Sequence, residues 1–243
     1  MSAEKTLEIL DLFNLNSREL SVAQIAERLE QPTSSVYRHL RLLKDRGYVI
    51  ESNIGTYKLG YRFLALAKIV RTDNSLSSLA LPAMRNLTSE TEETSILTIA
   101  SELNVVCLET TVSPQPIMVS AEQGQLLPLH AGASSKPFLA YMPEETVDEL
   151  HKRKLLRKYT DRTITDPNEL KSNLEEIRTK GYSASDSEVD EGVYAYGAAI
   201  RDSEDRVVAV LSIAGPRERV LGKDESMLIG QLQAAIEEIQ KHI

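Results

Sequence analysis

The sequence predicts an α+β protein in two parts: a small helical N-terminal domain carrying one β-hairpin, and a larger mixed or antiparallel sheet domain flanked by helices. Three observations carry this expectation. Three short amphipathic segments and a hairpin pattern fill the first sixty residues. From Thr94 onward β-rich runs alternate with helical ones. Between the two lies Tyr61–Arg71, an almost wholly apolar helical run followed by the polar break TDNSLS. The domains expected are residues 1–62, a linker helix and break over 63–75, and residues 76–243.

Thr6, Ile9, Leu10 and Phe13 make a first amphipathic helix from about Ala3 to Phe13, and NLNSREL breaks it. Ser21 opens a second helix with Gln24 as its capping-box partner, and Val22, Ile25, Ala26 and Leu29 form its apolar stripe. Gln31–Gly47 reads as a third. Pro32 suits a first-turn position, Thr33, Ser34 and Ser35 offer capping hydroxyls, and Gly47 ends the helix with positive φ. Val36, Leu40 and Leu43 repeat at i, i+4, i+7 and face inward. Ser34, Arg38 and Arg41 repeat in the same way on the opposite side, beside Tyr37 and Lys44. His39 falls at the edge of the apolar stripe, a place for packing or a phosphate contact. Tyr48–Glu51 and Thr56–Leu59 flank Ser52-Asn53-Ile54-Gly55 as a hairpin, which directly after such a helix is a wing bearing Lys58.

This is a winged helix-turn-helix, and its third helix has the surface chemistry that the major groove of double-stranded DNA requires. Arg is bidentate to guanine, short hydroxyls reach phosphates, and a helix N-terminus favours anions. Thr33, Ser34, Ser35, Tyr37, Arg38, Arg41 and Lys58 are the candidate DNA contacts. The net charge of −8 conceals a division. Residues 1–71 hold eleven Lys/Arg against eight Asp/Glu, and the remainder seventeen against twenty-eight. A cationic face beside an acidic bulk limits unspecific DNA binding.

Tyr61–Arg71 is apolar nearly all round, too much for a sixty-residue domain to bury, so it is expected to pack on a second subunit; Arg62, Lys68 and Arg71 touch phosphate or snorkel at that seam. A helix follows from about Leu76 to Glu90. Ser95–Ser101 and Val105–Thr110 are strands turning through Glu102-Leu103-Asn104, and IMVSAE (117–122) is a third strand. SSKPFLAYM is a short helix, and Glu144–Lys154 and Pro167–Lys180 are longer ones, the last closed by Gly181. GAAIRD and RVVAVLSIAG are paired strands around Ser203-Glu204-Asp205. The second is apolar enough to be central and covered on both faces. Lys223–His242 is a terminal helix.

Cys107 is the single cysteine, so an internal disulfide and a multi-cysteine metal site are excluded, and its apolar strand makes it inert core. The N-terminus has no basic region followed by an apolar one, and no run reaches membrane-spanning length, so the cytoplasm is the expected location. The four histidines show no metal-ligand spacing, and His130 is expected to be structural. Asp186, Glu188, Asp190 and Glu191 read as a solvated turn ending in Gly192 rather than a cation site. Ala133-Ser134-Ser135 before a helix offers amides and hydroxyls for a carboxylate, with Lys136 nearby. Neither a catalytic group nor a cofactor or metal site is predicted.

The segments LSVAQIAERLEQPTSSVYRHLRLLKDRGYV, YKLG, LPLHAGASSKPFLA, GYSASDSEVDEGVYAYGAAIRD and RVVAVLSIAGP, in this order and at these separations, resemble the IclR family of bacterial transcriptional regulators over nearly the whole chain. The resemblance implies a dimer or dimer of dimers and DNA bound by the N-terminal domains. It also implies a GAF-like C-terminal domain sensing a small organic acid or aromatic metabolite, held by Ala133, Ser134, Ser185, Val193, Ala195, Ser212 and Ala214. The chain departs from the family pattern at Ser185, where a carboxylate is usual, at Ala195 for Cys and Ala214 for Ser, and at Ser135 before Lys136 for Gly. Those departures imply a larger or less polar acid than glyoxylate or pyruvate. The reading is therefore a ligand-responsive repressor that binds a palindromic operator as a dimer. The alternatives are a small-acid hydrolase or isomerase with an accessory winged helix, for which Ser134 to Lys136 offers only a superficial likeness to a Ser/Lys pair, and a winged helix that contacts protein.

Overall fold

The N-terminal segment does form short helices, and a shared apolar stripe folds them together. The computed structural model describes residues 3–73, 75–101 and 103–243, which divide into two units, Met1–Asn74 and Ser75–Ile243. In the first, α1 (Ala3–Asp11), α2 (Val22–Arg28) and α3 (Thr33–Asp45) close on a core of Ile9, Leu20, Ile25, Val36, Leu40, Leu43 and Val49. Ser21 Oγ accepts from Gln24 N at 3.2 Å and Ser21 N donates to Gln24 Oε1 at 2.9 Å, the expected capping box. α3 differs from expectation at its start. Its cap is Pro32, and no side-chain hydroxyl caps it, because Thr33, Ser34 and Ser35 already lie inside the first turn. Gly47 follows α3 at φ +76°.

The wing is β2 (Val49–Asn53) and β3 (Thr56–Leu59), followed by α4 (Arg62–Asp73). A strand not expected from sequence, β1 (Glu19–Ser21), pairs with the other edge of β3 and makes a three-stranded antiparallel sheet β1-β3-β2. The segment read as a break thus ends in a strand. α4 leaves Leu64 and Ile69 69% and 58% exposed. Asn74, within the expected polar break, lies outside the described residues, as does Glu102 of the expected β-turn.

The second unit is a six-stranded antiparallel sheet in the order β6-β5-β4-β9-β8-β7. Its strands are β4 (Thr94–Ser101), β5 (Asn104–Thr111), β6 (Leu126–Pro128), β7 (Ser183–Asp186), β8 (Val193–Arg201) and β9 (Val207–Pro216). Its helices are α5 (Ser75–Thr91), α6 (Lys136–Tyr141), α7 (Glu145–Lys152), α8 (Pro167–Lys180), α9 (Arg217–Leu221) and α10 (Glu225–Gln240). The alternation of side chains along β9 divides the unit. Ala209, Leu211 and Ile213 join α5 and α10 in one core, whereas Val210 joins α6, α7 and α8 on the other face. β9 is central, as its apolar run predicts.

Three elements differ from expectation. Residues 117–122 form no strand: Ile117 is 72% exposed, Val119 and Ala121 pack beside the cavity without joining the sheet, and Leu126–Pro128 takes the sheet edge instead. β7 and α9 were not foreseen, the first because SASD is short and polar, the second because it is five residues long. β8 also begins at Val193, earlier than the GAAIRD run.

Gly197 fixes how the chain crosses the sheet. A Cβ there would stand 2.2 Å from the carbonyl oxygen of Ala133, so only glycine lets the segment before α6 lie directly on β8. Gly230, exposed in α10, has nothing within 4 Å of the same added atom. The same chemical change should therefore have opposite signs in urea unfolding. Gly197→Ala is expected to cost ~1–3 kcal/mol by overpacking, and Gly230→Ala to add about 1 kcal/mol through helix propensity.

Candidate nucleic-acid interface and effector cavity

Burial of Val36, Leu40 and Leu43 turns the opposite side of α3 outward. Thr33, Ser34, Tyr37, Arg38 and Arg41 are exposed and Ser35 is half-buried. His39 belongs to the inner face: it is buried, its ring hydrogen-bonds Thr6 Oγ1 at 2.8 Å, and burial lowers its pKa, so it is a neutral packing residue that ties α3 to α1. Lys44, expected among the outward cations, is bound to Glu51 of the wing at 2.5 Å, a pairing that raises its pKa. Lys58 sits in the middle strand of the wing sheet, half-buried, in register with Glu19 and Ile50. The wing tip is Ile54, fully exposed. What α3 presents is therefore hydroxyls at its N-terminus, then one aromatic ring, then two guanidiniums one turn apart.

The second site is a cavity of about 80 Å³ on the α6 side of the sheet, several times the ~10–15 Å³ that one water needs. Ala133, Ser134, Ser185, Val193, Ala195 and Ala214 all line it. Ser212 does not; it lies behind the wall, fully buried, with its Oγ 2.7 Å from Ser134 Oγ and donating to Ile96 O at 3.3 Å. Residues that sequence reasoning missed add to the lining: Ile96 on β4, Val119 to Ala121 from the segment misread as a strand, Gln125, Leu127 and Pro128 at the sheet edge, and Glu188, Val189 and Asp190 after β7. Their only common feature is spatial, which no spacing along the chain reveals.

Part of the expected carboxylate cradle is taken up within the protein itself. The amides of Ser135 and Lys136 both donate to Gly132 O, at 3.3 and 3.1 Å. Lys136 is completely buried and its Nζ donates to Glu188 Oε1 at 2.5 Å, Asn173 Oδ1 at 3.0 Å and Ala184 O at 3.3 Å. Glu188 Oε2 in turn accepts from Gly132 N at 3.0 Å. The expected solvated acidic turn is corrected by the same contacts: Glu188 is buried in this ion pair, and Asp186 is clamped by Arg162 and Arg217. The Arg217 guanidinium holds the Asp186 carboxyl below its usual range. Among the described residues no cluster of three or more His, Cys, Asp or Glu is arranged to hold a metal. Cys107 is buried beside the cavity wall, and burial pushes its thiol up. His130 is buried against Arg157 O at 3.0 Å, and burial lowers its pKa.

A winged helix-turn-helix with an outward cationic helix, followed by a sheet domain with a cavity beside α6, defines a DNA-binding regulator of transcription with an effector-binding domain. The comparisons with known proteins make this specific. The domain described as bacterial transcriptional regulator IclR C-terminal matches residues 69–241, and the IclR helix-turn-helix domain matches residues 2–51. The chain belongs to the IclR family. It is 28% identical to the transcriptional repressor IclR of Escherichia coli, over 90% of this chain and 81% of that protein. The crystal structure of an IclR transcriptional regulator from Alicyclobacillus acidocaldarius matches with a TM-score of 0.80 and 25% identity, over 98% of this chain and 96% of that one. An IclR homologue from Microbacterium hydrocarbonoxydans, complexed with 4-hydroxybenzoate, matches with a TM-score of 0.77 and 25% identity over the same shares. Among the described residues no helix is long and apolar enough to cross a membrane.

Breaking the Lys136–Glu188 pair leaves a buried charge alone. Lys136→Met should destabilise the second unit by about 3–5 kcal/mol in chemical denaturation. Lys136→Met with Glu188→Leu should recover part of that and no more, because Gly132 N loses its acceptor. Equal stability of wild type and Lys136→Met would contradict the pairing.

Proposed function

We propose that this chain is a repressor that binds an imperfect palindromic operator as a homodimer, alone or as a dimer of dimers, and is released or retained by a small organic acid or aromatic metabolite in the cavity. The observation that carries the reading is the division of α3: Val36, Leu40 and Leu43 inside, Ser34, Arg38 and Arg41 outside. In this reading residues 1–62 are the DNA-binding domain, 63–75 the linker and 76–243 the effector domain. Arg38 and Arg41 contact bases or phosphates, Thr33, Ser34, Ser35 and Tyr37 the flanking backbone, and Lys58 the backbone beside the wing. Ala133, Ser134, Ser185, Val193, Ala195 and Ala214 contact the effector, and Ser212 acts through Ser134.

Two features support the remaining parts. The exposed Leu64 and Ile69 on α4 are apolar surface suited to a second copy. The repressor activity named for the E. coli relative and the 4-hydroxybenzoate held by the Microbacterium homologue favour repression and an aromatic acid. Switching requires that the effector bind the DNA-competent and DNA-incompetent arrangements with different affinity, transmitted through α4.

The test is operator binding. With a site selected from random DNA by the wild-type protein, Arg38→Ala and Arg41→Ala are each expected to lose about 1–3 kcal/mol if they read a base, or to lower the salt slope by about 1 if they hold a phosphate. Affinity and salt slope unchanged in both variants would remove α3 from the interface.

A further inference from the structure

The wing ends on a side chain that its turn does not call for. β2 and β3 are joined through Ile54 and Gly55 alone, a junction that favours Gly, Asn, Asp, Ser or Pro. Gly55 meets that need with a φ of +72°. Ile54 does not. It is β-branched, it stands outside the core of its unit, and it is more exposed than any other large apolar side chain among the described residues. A single exposed apolar residue is ordinary on a protein surface; the way this one is held is not.

The tip is tied to both neighbouring helices. Gly55 O accepts from the amide of Val22, the first residue of α2, at 3.1 Å. Gly55 N donates to Glu51 Oε1 at 3.1 Å. The other oxygen of that carboxylate, Oε2, takes Lys44 Nζ of α3 at 2.5 Å. Glu51 therefore bridges α3 to the turn, and a β-bulge between Glu51 and Asn53 re-aims the end of the strand.

The tip also lacks charge to offer a phosphate. No Lys or Arg occurs from Val49 to Tyr57. Lys44 is engaged by Glu51, and Lys58 lies half-buried further back, in register with Ile50. What remains exposed is Asn53 and Ile54, an amide followed by a branched aliphatic group. The minor groove takes that pair: Asn reads its base acceptors, and an aliphatic side chain wedges into a base step and kinks the duplex. A protein partner would ask for an apolar patch, whereas the neighbours of Ile54 are Ser52, Asn53, Gly55 and Thr56.

We propose that Ile54 is an apolar wedge that enters the minor groove beside the segment taken by α3, partly unstacking one base step and bending the DNA. Glu51 is the positioning residue that sets the distance of the wedge from α3. This rests on α3 being the helix that reads the operator. Pyrimidine–purine steps unstack most cheaply, so the wing selects a TA or CA step at one fixed distance from each half-site.

The experiment uses the full-length protein and the operator it selects from random DNA, with bend and affinity read from gel mobility on circularly permuted fragments. The wild type should bend the operator by about 20–90°. Replacing the flanking pyrimidine–purine step by AA should weaken its binding about tenfold. Ile54→Ser should bind the unaltered operator about tenfold more weakly, leave it nearly straight and be indifferent to that replacement, and Ile54→Leu should behave as wild type. Glu51→Ala should lose bend while the melting temperature holds, because an exposed ion pair contributes little to stability. A wild-type complex without a bend, or an Ile54→Ser variant with unchanged bend and affinity, overturns the inference and leaves α3 in the major groove. Repression impaired in Ile54→Ser with DNA binding intact does the same and assigns the side chain to a protein partner. Failure of the wild type to select any operator overturns both readings.

Discussion

One thirteen-residue helix that must bury a stripe decides how the N-terminal domain meets its target. An isolated helix of that length is marginal in water, so α3 exists because Val36, Leu40 and Leu43 are covered by α1, α2 and β2. Once those three are inside, geometry leaves no choice about Ser34, Arg38 and Arg41: they are outside. The hydrogen bond between buried His39 and Thr6 adds orientation, fixing the roll of α3 against α1. The Lys44–Glu51 pair joins the same helix to the wing. Because that pair is exposed it contributes little to stability, yet it takes one cation out of the outward set and concentrates the rest on Arg38 and Arg41.

In the larger domain the comparable constraint is the pleat of β9. Odd-numbered residues from Ala209 to Ile213 fill the core beneath α5 and α10, and even-numbered ones face α6 and the cavity. The cavity persists where helices α6 to α8 stop covering that face and the residues are alanines. Two buried carboxylates anchor ion pairs in this domain. Lys136–Glu188 joins α6 to the turn after β7, and Glu93, fully buried, takes Arg219 and Lys223 at 2.5 Å each and joins the α5–β4 corner to α9 and the loop before α10. Such pairs are weak contributors to net stability but expensive to break.

Much of this was legible along the chain, and for physical reasons. The period of α3, the Ser21–Gln24 box, the positive φ of Gly47 and the apolar run of β9 are local signals, set by residues a few positions apart. What escaped was non-local or weakly patterned. β1 is three residues whose only reason to be extended is β3, far along the chain, and β7 is a polar edge strand supported by β8 alone. Residues 117–122 carry the composition of a strand and set Val119 and Ala121 against the core, yet the sheet edge is taken by Leu126–Pro128, so tertiary context overrode propensity. Lys136 was misjudged for the same reason: its partner Glu188 is 52 positions away, and nothing local says that a lysine after two serines points into the protein. Family resemblance located six residues that line one cavity, yet the chemistry of that cavity emerged only from which hydroxyls and cations are already engaged.

The central claim is that the outward face of α3 lies in the major groove, once in each half of a two-fold operator. The direct measurement is DNA cleavage by an iron chelate tethered at Ser34→Cys; the native Cys107 is buried and does not compete for the reagent. The account predicts two clusters of cuts related by a dyad and about 34–36 Å apart or a multiple of that. Binding without cleavage from position 34, or cuts with no dyad relation, would contradict it.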